Sequence, residues 1–339
     1  MARFVDFNID PAQQQPIMYP FRDKSNQLLR LEPQRLRILH LSDTHSLHRE
    51  IAATHLPAAD LLLHTGDFSI SGTDAEYRDF DAWLRQLKEQ SKVKHCCVIT
   101  GNHEFHDPSN RVVAGTLPAA QLLDHGYVRA RLPSATFLAH EEVVYEGMRI
   151  FGSTWEPYCS GCDPDQPGVT PTENALWCAH CCSNPAAATA HKFDLIPAGT
   201  HVLLTHGPAR GVLDWETMEQ PYGSSSALRQ RVIACGVRAH LFGHVHEQRG
   251  VYAKDVAGGY NGGVEYADPR MVETREPGPP PPDYPCDVVS NNAMKNNSRH
   301  EAATRHYIAG PPRLIIAERV PGPGCICDWR FRLPRPHEQ

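Results

Sequence analysis

Five times between Arg37 and His246 a short apolar run stops abruptly at a polar cluster of aspartate, histidine or asparagine, usually beside glycine. The runs at 37–41, 60–63, 96–99, 202–204 and 239–242 lead into Ser42-Asp43-Thr44-His45, His64-Thr65-Gly66-Asp67, Thr100-Gly101-Asn102-His103-Glu104, Thr205-His206-Gly207-Pro208 and Gly243-His244-Val245-His246. Runs this short and this apolar read as buried strands. Open α/β sheets bind ligands beyond the carboxyl ends of their strands, so loops at five such ends can deliver their polar residues to one crevice.

Helical patterns lie between the strands. Tyr77, Phe80, Trp83, Leu84 and Leu87 share one side of a helix expected over 73–90, with Thr73 and Glu76 as a capping box. Further helices are expected over 118–125, stopped by Gly126, and over 224–235, stopped by Gly236. Val143-Val144-Tyr145 and Arg149-Ile150-Phe151 flank a Glu146-Gly147 turn as in a hairpin, which predicts mixed rather than purely parallel pairing. Val288-Val289 and residues 314–317 add two strands. The fold class is α/β, a layered sheet sandwich with helices outside.

The 339 residues suit one large domain or two modest ones at ~100–200 residues each. A net charge of −6 removes the basic excess of a general nucleic-acid or anionic-membrane binder. Residues 1–20 lack the basic start and apolar run of a secretory signal, and no stretch of eighteen apolar residues occurs, so the expectation is a cytoplasmic protein without a membrane span. The chain divides into an amino-terminal extension, 1–34, a main domain, 35–320, and a carboxy-terminal tail, 321–339. A cysteine-rich insertion at 157–185 and a Gly/Pro-rich loop at 257–285 interrupt the domain. The eleven cysteines leave at least one thiol unpaired within the chain, which favours reduced cysteines.

The strand-end inventory is Asp43, His45, Asp67, Asn102, His206, His244 and His246, imidazoles and hard oxygen donors without a thiolate. Such donors suit manganese, iron, zinc or similar divalent ions. Seven ligands exceed what one ion with open positions takes, whereas two ions sharing a carboxylate would use them all. Asp43 with His45, and His244 with His246, stand two apart and share a side of an extended segment. Most other histidines, among them His40, His48, His55, His64, His95 and His106, read as surface or hydrogen-bonded residues.

The order Asp-x-His, Gly-Asp, Gly-Asn-His-Glu, Thr-His-Gly and Gly-His-x-His resembles the calcineurin-like metallophosphoesterase superfamily, in particular its metallophosphoesterase-domain-containing subgroup, related to class III cyclic-nucleotide phosphodiesterases. The resemblance spans about 35–320 outside the two insertions. It implies a four-layer α/β/β/α sandwich of two mixed sheets flanked by helices. It further implies that Asp43, His45, Asp67 and His246 hold one ion, that Asp67, Asn102, His206 and His244 hold the other, and that His103 is the general acid. Some animal relatives carry glycine in place of His244, a change associated with weaker metal binding; here the set is complete. Glu104 either orients His103 or pairs with a surface cation.

The implied chemistry is a metal-dependent phosphohydrolase, first of all a phosphodiesterase on small phosphodiesters such as cyclic nucleotides, using two metal ions and a bridging hydroxide. A phosphomonoesterase or protein phosphatase is the enzymatic alternative, and a catalytically weak scaffold the non-enzymatic one. The partner is a small phosphate ester rather than a long nucleic acid or a membrane. Separately, Cys159-x2-Cys162 and Cys178-x2-Cys181, fifteen residues apart, match the spacing of a structural zinc site. His180 and Cys182 compete as ligands, and loosely ordered thiols or a disulfide are the other readings.

Overall fold

The computed structural model describes residues 34–51, 56–105, 107, 111–113, 121–155, 193–214, 224–265, 278–294, 310–321 and 327–338. In chain order the strands are β1 (Arg35–Leu41), β2 (Ala59–Thr65), β3 (Val93–Ile99), β4 (Arg111–Val113), β5 (Gln121–Leu123), β6 (Thr136–Phe137), β7 (Glu141–Tyr145), β8 (Met148–Gly152), β9 (Val202–Leu204), β10 (Ala239–Phe242), β11 (Gly250–Lys254), β12 (Tyr260–Val264), β13 (Val288–Asn291), β14 (Arg313–Pro321) and β15 (Cys327–Arg332). The helices are α1 (Asp74–Glu89), α2 (His125–Arg131) and α3 (Ser226–Cys235).

The first sheet runs β15-β14-β1-β2-β3-β6 and the second β12-β11-β13-β10-β9-β8-β7; β4 and β5 form a separate antiparallel pair. Both large sheets are mixed. Strands β1, β2 and β3 are mutually parallel, as are β8, β9, β10 and β13. All five motif-bearing strands therefore release their loops from the carboxyl edge of a parallel block.

Alternation along the strands explains the layering. Ile38, Leu61, Leu63, Cys97 and Ile99 meet Ile150, Val202, Leu204, Leu241 and Val288 between the sheets. The intervening residues Leu39, Leu41, Leu62, Cys96 and Val98 point outward against Tyr77, Phe80, Trp83, Leu84 and Leu87 of α1. On the far side Phe151, Leu203, Phe242 and Val289 pack against Leu228, Val232 and Cys235 of α3. Three apolar seams need four layers, helix, sheet, sheet and helix.

Local rules account for the ends of α1 and α3. The Thr73 side chain accepts from Glu76 N while Glu76 accepts from Thr73 N, completing the expected capping box. Ser225 caps α3, and Gly236 ends it at φ 65°. Glu146 and Gly147 both have positive φ, the geometry of a tight two-residue hairpin turn between β7 and β8.

Three expectations need correction. No helix covers 121–123, where β5 runs; helix α2 starts after it because Asp124 accepts from Gly126 N and Tyr127 N, so Gly126 opens a helix instead of closing one. Part of the tail, 327–332, is β15, whose Trp329 and Phe331 are buried between the sheets. Within the Gly/Pro-rich loop, residues 260–264 form β12, and Tyr284 is fully buried. Residues 1–33 of the extension and the whole cysteine-rich insertion, with Cys159, Cys162, Cys178 and Cys181, lie outside the described residues, as do His55 and His106.

Candidate metal centre

Strand ends alone do not make a site; backbone bonds between loops bring them together. The loop after β1 lies along the loop after β2, with Asp43 N donating to Gly66 O, His45 N to Asp67 O and Ser46 N to Phe68 O, each at 2.9 Å. In the second sheet Gly243 N donates to His206 O at 2.9 Å. The halves are then joined: His244 N donates to Asp43 Oδ2 at 2.9 Å, and His206 Nδ1 to the Thr65 carbonyl at 2.8 Å.

The approach is close enough to demand unusual backbone. Asp43, His45, Asp67 and His244 all have φ between 41° and 67°, a left-handed conformation uncommon for residues with a side chain. Glycine is required at two contacts. A Cβ on Gly243 would collide with Asp43 Oδ2 and Ser42 Oγ, and one on Gly101 with Asp67 Oδ1 and the His206 ring.

The side chains converge as three overlapping groups: Asp43, His45 and His246; His45, Asp67 and His103; and Asp43, Asp67 and His206. In each, one donor atom per residue lies within 4.8 Å of the others. His246 Nε2 is 3.3 Å from Asp43 Oδ1, His206 Nε2 is 3.3 Å from Asp67 Oδ2, and His45 Nε2 is 3.8 Å from Asp43 and 3.7 Å from Asp67. Asn102 Oδ1 is 3.1 Å from both His206 Nε2 and His244 Nδ1. All seven predicted residues therefore meet in one place.

The donor set fits a cation. Asp43 Oδ1 and both ring nitrogens of His45 are buried without a hydrogen bond of acceptable geometry. His206 Nδ1 is committed to the Thr65 carbonyl, so its Nε2 is the ring atom directed at the Asp67 carboxylate, whose neighbour Asp43 is a second buried carboxylate in the same group. Electron-rich atoms facing one another are costly to bury unless positive charge lies between them.

Protonation states agree with this chemistry. Burial alone would raise the Asp43 and Asp67 carboxyls, but the imidazoles around them, His206 foremost, hold both well below the ordinary range. Burial pushes His45 down to about 4 against the pull of Asp43 and Asp67, and His244 down to about 3. Ionised carboxylates and neutral imidazoles are the forms that bind metal.

His103 sits beside the cluster. Its Nδ1 donates to the Ile70 carbonyl at 2.6 Å, its backbone N donates to Asp67 Oδ1 at 2.8 Å, and its Nε2 lies 3.9 Å from Asp67 Oδ2. Among the described residues, Glu104 bonds main-chain groups and the Ser69 hydroxyl. Fully buried, it accepts from Asp67 N, Ser69 N, Ser69 Oγ and Gly101 N at 2.7–2.9 Å, tying the loop after β2 to the loop after β3. Burial and the nearby Asp67 charge push its carboxyl up to about 7, opposed by those hydrogen bonds.

Other histidines are structural: His40 bonds Ser290 and Thr65, His48 bonds Asp79, and His64 bonds Thr44. Sequence reasoning missed the Ile70 carbonyl, which orients His103. A main-chain acceptor leaves no residue-type signal.

Comparison with known proteins points the same way. The calcineurin-like phosphoesterase family model matches residues 36–248. Metallophosphoesterase domain-containing protein 1 of Homo sapiens is 30% identical over 261 residues, covering 74% of this chain and 72% of its own length, and the Mus musculus protein matches equally. A UPF0046 protein of Caenorhabditis elegans is 29% identical over 226 residues, covering 64% of this chain and 71% of its own. Fold, converging Asp/His groups and family match agree, and the chain belongs to the calcineurin-like phosphoesterase family.

Proposed function

We propose that the protein is a metal-dependent phosphodiesterase acting on small phosphodiesters such as cyclic nucleotides. The observation that carries this reading is the convergence of overlapping Asp/His groups in which Asp43, His45 and Asp67 are each used twice. Divalent ions, manganese being our first choice, held by Asp43, His45, Asp67 and His246 and by Asp67, Asn102, His206 and His244, would supply Lewis-acid polarisation of the phosphoryl group and an acidified water.

The chain's own residues do the rest. Asp43 and Asp67 remain ionised and His45 neutral, the forms in which those three groups bind a metal ion. With His103 Nδ1 committed to the Ile70 carbonyl, Nε2 is the ring atom turned toward Asp67. A second proton there makes His103 an acid that can pass it to the departing alkoxide.

The preference for a diester rests on the motif resemblance to the subgroup related to class III cyclic-nucleotide phosphodiesterases. Four free buried cysteines, Cys96, Cys97, Cys235 and Cys286, support a reducing, cytoplasmic setting. The deciding assay compares bis(p-nitrophenyl) phosphate with p-nitrophenyl phosphate after chelation and manganese re-addition. Higher kcat/KM on the diester is the expected result. The reverse order would assign a phosphomonoesterase, and metal binding without hydrolysis of either would leave a scaffold.

A further inference from the structure

The end of β13 and the three residues after it carry none of the five motifs, yet they are bonded to β1, β10 and loops of both sheets at the centre. Asn291 is fully buried; its Nδ2 donates to the Val245 carbonyl at 2.8 Å while its Oδ1 accepts from Ala293 N at 3.1 Å. Val245 is the residue between His244 and His246, so this bond holds the peptide that sets the spacing of the two imidazoles. Asn292, also buried, donates from N to Phe242 O at 3.1 Å in the second sheet and from Nδ2 to His40 O at 2.7 Å in the first. Its Oδ1 accepts from Arg249 at 2.9 Å, which fixes the orientation of the amide, because a guanidinium can only donate. Ala293 then bridges Ser42, and Met294 N donates to Ser42 O at 3.0 Å, one residue before Asp43.

We propose that Asn291 is a positioning residue for the metal centre, holding the Val245 peptide so that His244 and His246 point at the same cluster as Asp43. Asn292 and Met294 secure the other end of the strap to β1 and its loop. The inference rests on the metal-centre reading above. Outer-shell hydrogen bonds orient ligands, and losing one typically costs about 10–100-fold in metal affinity.

The test titrates Mn2+ and Co2+ into metal-stripped full-length protein, comparing wild type, Asn291→Ala and Val289→Ala. Val289 lies on the same strand but packs against the α3 layer, so its truncation lowers stability away from the loops. Asn291→Ala is expected to weaken Mn2+ binding about 10–100-fold and to alter the visible absorption of bound Co2+, which reports ligand geometry. Val289→Ala is expected to lower the urea midpoint while leaving both readouts at wild-type values. If Asn291→Ala is insoluble, Asn291→Thr replaces it with the same expected direction. Equal metal affinity and equal Co2+ spectra in wild type and the Asn291 variant would overturn the positioning role alone. Failure of wild type to bind either ion would overturn the metal-centre reading and this inference together.

Discussion

At the residue scale, two neighbours in one motif have unrelated tasks. His103 faces the cluster with one ring nitrogen and is oriented by a main-chain carbonyl with the other, so its removal takes away a proton donor and no predicted ligand. His103→Ala is expected to keep metal content, measured by elemental analysis, while lowering kcat by about 10²–10⁴. Loss of metal on that substitution would make the residue a ligand. Glu104 instead satisfies three buried backbone N–H groups and the Ser69 hydroxyl. Glu104→Gln turns an NH2 toward donors and is expected to cost about 1–3 kcal/mol in urea unfolding. The Asp/His/Asn set was legible because donor chemistry is written in residue type. The task of Glu104 was not, since a carboxylate serving the backbone looks in sequence like one serving a neighbour.

At the element scale, periodicity and caps decided what could be read. Helix α1 carries both signals, an apolar face and a reciprocal cap, and the expected bounds differ from the observed ones only in counting the capping residues. Thr73→Ala is expected to lower stability by about 1 kcal/mol, seen as a lower urea midpoint with an unchanged slope. The stretch around Gly126 failed because Asp124 caps a helix in which glycine is an early residue, and a glycine at either end of a short helix reads alike. Strand β15 was passed over as a tail because its value lies in pairing with β14, and a short edge strand has little local signature.

At the scale of the whole molecule, burying histidines makes stability depend on acidity. His64 and His240 are fully buried, and burial pushes each down to about 3. In the unfolded chain they titrate near ~6.5, so below that pH the unfolded state binds more protons than the folded one. Their contribution is complete above ~6.5 and is lost as pH falls from there toward the folded values, at up to ~1.4 kcal/mol per unit for each. In chelated protein the urea midpoint should fall steadily below pH 6, where the buried histidines together outweigh the opposing contribution of Glu104, whose raised carboxyl favours the folded state as pH drops through about 7. His240→Gln should lower the midpoint at pH 7.5 yet flatten the acid slope; an unchanged slope would remove His240 as a contributor.

By itself the amino-acid sequence determined the kinds of atom available, the strands that end in them, and the order in which they follow one another, because strand period, turn residues and donor type are local properties. Only the tertiary structure decided that Asn291 would grip the Val245 peptide, that the Ile70 carbonyl would aim His103, and that Glu104 would knit two loops. Those contacts join residues brought together by sheet pairing and face-to-face packing, and hydrogen bonds to main-chain groups carry no mark in the residue types they use.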